Sequence, residues 1–201
     1  VNLANKITLL RLALVPVFVG LLYFEGFWPY TFALVVFIAA VITDYYDGKI
    51  ARERGIVTSF GKLMDPVADK VLVAAAFVMF VKIDFVYVPA WAVIIILTRE
   101  FLITGLRALA AVEGIVIPAE RLGKHKAGWQ MGCIITTLGL MVLREVVLAS
   151  SWCPANYAIG FERFMQITVF VLMIIVVVLT VLSGASHLRK NWGFFFGQGA
   201  T

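Results

Sequence analysis

The sequence predicts an all-α, polytopic integral membrane protein with about six transmembrane helices and both termini cytoplasmic, built as a single domain over residues 1–201. Three observations carry this prediction. Hydrophobic residues make up 62% of the chain and charged residues 14%, with a mean hydropathy of +0.99, far from the composition of soluble domains. Six apolar runs, at roughly 8–24, 30–44, 66–81, 89–112, 128–148 and 163–183, approach or reach the length that crosses a bilayer. The basic residues are also unevenly shared. Lys6, Arg11, Lys49, Arg52, Arg54, Lys62, Arg121, Lys124, Lys126, Arg189 and Lys190 fall on one side of the runs, and only Lys82, Arg144 and Arg163 on the other. Eleven against three puts the first side in the cytoplasm.

The first run follows Asn2 and Asn5, a plausible cap, and carries Thr8 and Arg11 three residues apart on one helical face. It lacks a small-residue cleavage site and reads as a retained span, with Pro16 marking at most a kink. The second run is short and suffices only if its helix continues towards Arg52; the third similarly has to start near Lys62. The fourth contains Arg99, Glu100 and Arg107, with Glu100 and Arg107 seven apart on one face, able to pair or to line a cavity together. Before the fifth run stands the basic segment 121–126, in which His125 reads as an exposed loop histidine. The sixth ends in His187, Arg189 and Lys190, a basic tail. Trp28, Tyr30, Tyr87, Trp91, Trp152 and Tyr157 fall near span ends on the outer side, as an interfacial belt. Cys133 and Cys153 are expected at different depths, so no disulfide is expected. The net charge of +5 lies beside apolar runs, which favours anionic lipid headgroups or a phosphorylated substrate over nucleic acid.

The chemistry concentrates in residues 44–69, DYYDGKIARERGIVTSFGKLMDPVAD. Asp44 and Asp47 share one helical face, as do Asp65 and Asp69. Carboxylates are costly at membrane depth, so four together make a functional site the default reading. Protons, basic side chains or divalent cations must neutralise them; with no His or Cys in the stretch, oxygen ligation suits Mg²⁺, Mn²⁺ or Ca²⁺ rather than zinc or copper. Gly48 follows Asp47, and Gly61 lies four residues before Asp65. These glycines serve either helix packing or the approach of a phosphate to the backbone. Arg52 suits a diphosphate as well as a positive-inside anchor.

Asp44-x-x-Asp47-Gly48-x-x-Ala51-Arg52, eight further residues, then Gly61-x-x-x-Asp65-x-x-x-Asp69 matches the signature of the CDP-alcohol phosphatidyltransferases, and the sequence resembles that family over nearly its whole length. The segments around Thr8–Arg11, TREFLITGLRAL and GKHK resemble its glycerol-3-phosphate branch. The resemblance implies a six-helix membrane fold, a homodimer in the bacterial cytoplasmic membrane, a cavity facing the cytoplasm, and two divalent cations, Mg²⁺ or Mn²⁺. It implies that Asp44, Asp47 and Asp65 hold the metals, and that Asp69 is the general base and a further ligand. Gly48, Gly61, Arg52 and Thr8 would meet the CDP-diacylglycerol donor. The expected reaction transfers a phosphatidyl group to glycerol 3-phosphate and releases CMP.

A dianionic acceptor needs a basic pocket near the metals. Arg107 and Lys124 are the favoured residues, with Arg99, Arg121 and Lys126 as further candidates. Two bland readings compete: Arg99 and Glu100 as a self-satisfied intramembrane charge set, and Lys124 and Lys126 as a lipid-headgroup anchor. The same chemistry with another acceptor, phosphatidylglycerol or an inositol phosphate, remains an alternative, as does a divalent-cation transporter using the carboxylates as a pathway.

Overall fold

The computed structural model describes the backbone of residues 3–54, 59–112, 121–150 and 154–192, and the side chains of these except 3–8, 44–54, 59–69, 121–122, 124–125 and 155–156. Among the described residues the chain is all-helical. Its helices are α1 (Leu3–Tyr23), α2 (Phe27–Arg54), α3 (Ser59–Lys82), α4 (Ala90–Val112), α5 (Arg121–Ala149) and α6 (Ala155–Lys190). Within them, Lys126–Ala149 and Tyr157–Lys190 are long and apolar enough to cross a membrane, while Leu9–Tyr23 and Phe27–Thr43 are shorter apolar helices.

Helix α2 does continue past the apolar run, through the backbone of Asp44 and Asp47 to Arg54, and α3 starts at Ser59, ahead of its apolar run. The polar ends therefore extend the helices, because an i→i−4 ladder satisfies backbone groups whatever the side chains beside it. Two boundaries depart further from expectation. Helix α5 begins at Arg121, so His125 belongs to a helix and not to a loop, and α6 runs on through His187 to Lys190. Gly26, at φ 132°, makes the tight turn from α1 into α2, a backbone conformation that glycine adopts without a Cβ penalty.

Helix α1 packs on α2 and α3, α5 on α2, α3 and α6, and α4 on α3 and α6. Helices α2 and α3 are thus brought to one side of the bundle by the two neighbours they share. The core between the helices is filled by Phe18, Phe37, Phe77, Phe80, Ile96, Ile134, Leu138, Met141, Met165 and Met173, all fully buried. Small residues Ala33, Ala40, Ala76 and Ala92 let the backbones approach. The outside is also apolar: all six helices expose large hydrophobic side chains, among them Leu10, Phe32, Val78, Ile94, Leu143 and Ile167.

At the end where α3 stops, the α3–α4 connection is clamped. Lys82 lies over the Tyr23 ring, 3.5 Å from its centroid, and Arg144 over the Phe85 ring at 4.0 Å. Arg144 also binds Glu162 on α6 (Nε to Oε1 2.7 Å) and Glu145 beside it (Nη1 to Oε1 2.9 Å). Tyr30 does not join an interfacial belt. It is buried, edge-on to Phe85 at 6.1 Å, whereas Trp28, Tyr87, Trp91 and Tyr157 are exposed as expected. Trp152 and Cys153 lie outside the described residues, and Cys133 is a buried free thiol.

Candidate active site

A cavity of about 290 Å³ opens between α3, α4, α5 and α6, at the opposite end of the bundle from the Arg144 clamp. Each helix lines it with residues at helical spacing: Lys70 and Ala74 on α3, Glu100, Thr104 and Arg107 on α4, Gly123, Lys126 and Gln130 on α5, Ser183 and His187 on α6. The polar positions fall on single faces of otherwise apolar helices, so packing those faces together encloses them. Among the described residues, four cationic side chains, Lys70, Arg99, Arg107 and Lys126, line the cavity together with one carboxylate, Glu100.

Glu100 is buried and multiply bonded. Its Oε1 accepts from the Lys126 ammonium and from Gln130 Nε2 (3.2 Å), while Oε2 faces Lys70 Nζ at 3.2 Å and Arg99 Nη1 at 3.9 Å. Lys70 donates further to the Glu100 carbonyl (3.3 Å) and to the Thr104 hydroxyl, which itself donates to that carbonyl at 2.7 Å. Arg99 Nη2 donates to Ser183 Oγ at 2.8 Å. Its side chain runs past Gly184, where a Cβ would stand 3.1 Å from Arg99 Cγ, so the absence of a side chain there makes room for it.

Of the acceptor-pocket residues proposed from sequence, Arg99, Arg107 and Lys126 come together in this cavity. Lys126 is 3% exposed and paired with Glu100, so it is not a headgroup anchor. Glu100 and Arg107 both line the cavity, and the recorded ionic partners of Glu100 are Lys70, Arg99 and Lys126. The side chains of Arg121 and Lys124 lie outside the described residues, as do those of Thr8, Asp44, Asp47, Arg52, Asp65 and Asp69 and the surroundings of Gly48 and Gly61. The backbone of the four aspartates is helical, in α2 and α3, and Asp69 immediately precedes Lys70.

Sequence reasoning marks Lys70 as a charge in or near a span that requires a reason but gives it no role, and it misses Thr104, Gln130, Ser183 and His187. His187 was read as tail but is buried in α6, four residues from Ser183 and facing the cavity. The signal lay in the i, i+4 pairs Glu100/Thr104, Lys126/Gln130 and Ser183/His187 within apolar helices. Arg11 is buried. It is 6% exposed, in a cleft with Phe37, Ala40 and Leu72 that shares Val73 and Met131 with the main cavity.

Six packed helices with an apolar exterior thus enclose a cationic cavity that begins one residue after the aspartate motif. The CDP-alcohol phosphatidyltransferase family matches residues 1–196, and the chain belongs to that family and to its enzyme class. Its relatives include the CDP-diacylglycerol–glycerol-3-phosphate 3-phosphatidyltransferase of Bacillus subtilis, 36% identical over 203 aligned positions covering 95% of each chain. Enzymes of the same name from Rickettsia typhi (34% identical, 96% of this chain and 99% of the relative) and Yersinia enterocolitica (31%, 95% of each) are also similar along their full lengths.

Proposed function

We propose that the protein transfers a phosphatidyl group from CDP-diacylglycerol to glycerol 3-phosphate, giving phosphatidylglycerol phosphate and CMP. The observation that carries this reading is the cationic cavity, lined among the described residues by four basic side chains and one acid, next in sequence to the aspartate motif. A cationic excess inside an apolar bundle is costly unless an anion completes it. A phosphomonoester with about two negative charges does so, and relatives of the same length carry the name of this reaction. Arg107 and Lys126, with Arg99, bind the acceptor phosphate, and Lys124 and Arg121, at the start of α5, are its further ligands in this reading.

Asp44, Asp47, Asp65 and Asp69 offer only hard oxygen donors, a set that fits two Mg²⁺ or Mn²⁺ ions. When bound, those ions supply charge neutralisation of the diphosphate and of departing CMP. Asp69 accepts the proton from the attacking glycerol hydroxyl as its oxygen bonds to the lipid-linked phosphorus and the bond to CMP breaks. Positioned proton transfer of this kind contributes about 10²–10⁴-fold. Thr8, Gly48, Arg52 and Gly61 bind the CDP-lipid, the glycines by admitting it close to the backbone.

The chain acts as one six-span domain over residues 1–201, a homodimer in the bacterial cytoplasmic membrane with both termini and the cavity on the cytoplasmic side. The apolar side chains exposed on all six helices support a lipid-facing surface. The test is CMP release by purified protein supplied with CDP-diacylglycerol, Mg²⁺ or Mn²⁺, and a panel of alcohols. Release is expected with glycerol 3-phosphate and to vanish in Asp69→Asn while CDP-lipid binding persists. Release with phosphatidylglycerol or an inositol phosphate alone would move the acceptor; full turnover by Asp69→Asn would remove that residue from the base role.

A further inference from the structure

A carboxylate in a pocket for an anion needs a reason, because it repels the ligand. Glu100 is such a group. It is buried, and both oxygens are engaged: Oε1 by Lys126 and Gln130, Oε2 by Lys70 and, at its margin, Arg99. Those partners come from α3, α4 and α5, and Arg99 continues to Ser183 on α6, so one carboxylate ties together all four walls. Charge balance alone does not explain it. Among the described residues that line the cavity, one acid stands with four cations, whereas a set meant only for neutrality would match its members.

The donor inventory separates the cations. Lys70 directs three contacts inward, to Glu100 Oε2, the Glu100 carbonyl and Thr104 Oγ1, as many as an ammonium has hydrogens. Lys126 directs one recorded contact to Glu100 Oε1 and lines the cavity. A flexible lysine held in this way presents a fixed charge, and fixing donors before the ligand arrives removes the ordering cost from binding.

We propose that Glu100 is a positioning residue of the acceptor site: a buried counter-ion that holds Lys126, Lys70 and Arg99 as one fixed array for the acceptor phosphate without touching the acceptor. This rests on the glycerol 3-phosphate reading above. Glu100 acts behind the cations, and the phosphate meets Lys126, Arg99 and Arg107 on their cavity side.

The experiment is steady-state CMP release by wild type, Glu100→Gln and Glu100→Asp in detergent, varying each substrate in turn, with thermal melting of the same samples. Glu100→Gln is expected to raise the KM for glycerol 3-phosphate about tenfold or more, with the KM for CDP-diacylglycerol within about twofold of wild type. Glu100→Asp, which keeps the charge one methylene short, recovers part of the loss. A folded Glu100→Gln protein with unchanged acceptor KM overturns the proposal. So does a fall of kcat alone that follows the loss of folded protein, which is the mark of a purely structural acid. Should Glu100→Gln not fold, Gln130→Ala keeps every charge and removes one hydrogen bond to Oε1. An acceptor KM raised about two- to threefold, with the donor KM unmoved, supports positioning; no change overturns it. Wild-type protein that releases no CMP in response to glycerol 3-phosphate overturns the acceptor reading and this inference together, whereas normal wild-type kinetics with an unaffected Glu100 variant overturns the inference alone.

Discussion

Single residues in this protein owe their meaning to the medium around them. Glu100, Lys70 and Lys126 would be unremarked on a soluble surface, where an ion pair contributes about 0–1 kcal/mol. Inside an apolar bundle each must be matched, and the matching builds the site. The same argument extends to Asp44, Asp47, Asp65 and Asp69, whose charges the divalent cations of the proposed site would balance. Chelation of the purified enzyme should therefore abolish CMP release, with Mg²⁺ or Mn²⁺ restoring it; activity persisting in excess chelator would remove the metals from the reaction. The helical backbone beneath these aspartates is what the sequence spacing expects, and fixed spacing on a helix declares a shared face without knowledge of the partner helix. The partners of Glu100 were not legible in that way. Arg107, two turns along the same helix, is visible as a candidate by counting, whereas Lys70 and Lys126 reach Glu100 from helices 30 and 26 residues away in the chain. No local periodicity encodes that meeting.

At the scale of elements, the helices were predicted by their apolar runs and extended by their polar ends. Hydropathy marks where a helix is dry and leaves its wet continuation unmarked, which is why α5 starts before the apolar run, at Arg121, and α6 continues to Lys190. The consequence is functional, since Lys126 and His187 lie in those continuations and become cavity walls. The opposite end of the bundle does a different job. Arg144 on α5 grips Glu162 on α6 through two contacts (2.6 and 2.7 Å) and covers Phe85 of the α3–α4 connection, joining three segments. Lys70 and Lys82 are twelve residues apart on α3, so this end lies about 18 Å from the cavity along the helix. Arg144→Met should lower the melting temperature through a loss of about 1–3 kcal/mol, while the KM for glycerol 3-phosphate stays within about twofold. Arg144→Lys should fall between, because an ammonium keeps the charge and loses the planar fork. A raised acceptor KM in either variant would mean that the two ends are coupled.

For the whole molecule, the arrangement reverses that of a soluble protein: large apolar side chains cover the outside, and the charges that are not at the ends line an interior cavity. The composition forecast the apolar exterior, and the unequal sharing of Lys and Arg predicts an orientation for the proposed topology, but neither gives the distance of the site from the clamped end. Helix geometry does. Glu100 is ten residues into α4 and Lys70 twelve residues before the end of α3, so the charged network sits about 15–18 Å from the clamped end. That is about half of a hydrocarbon core roughly 30 Å thick. On the proposed reading, glycerol 3-phosphate and CMP reach this depth from one side only, that of the α6 C-terminus. A topology in which that side faces the cytoplasm makes a direct prediction for single-cysteine variants in a background lacking Cys133 and Cys153. Tyr157→Cys, at an exposed position near the start of α6, should react with an impermeant thiol reagent in intact cells. Arg189→Cys, exposed near the end of the same helix, should react only after the membrane is opened. The reverse pattern would open the cavity away from the cytoplasm and leave a phosphorylated acceptor without a route to the cations that await it.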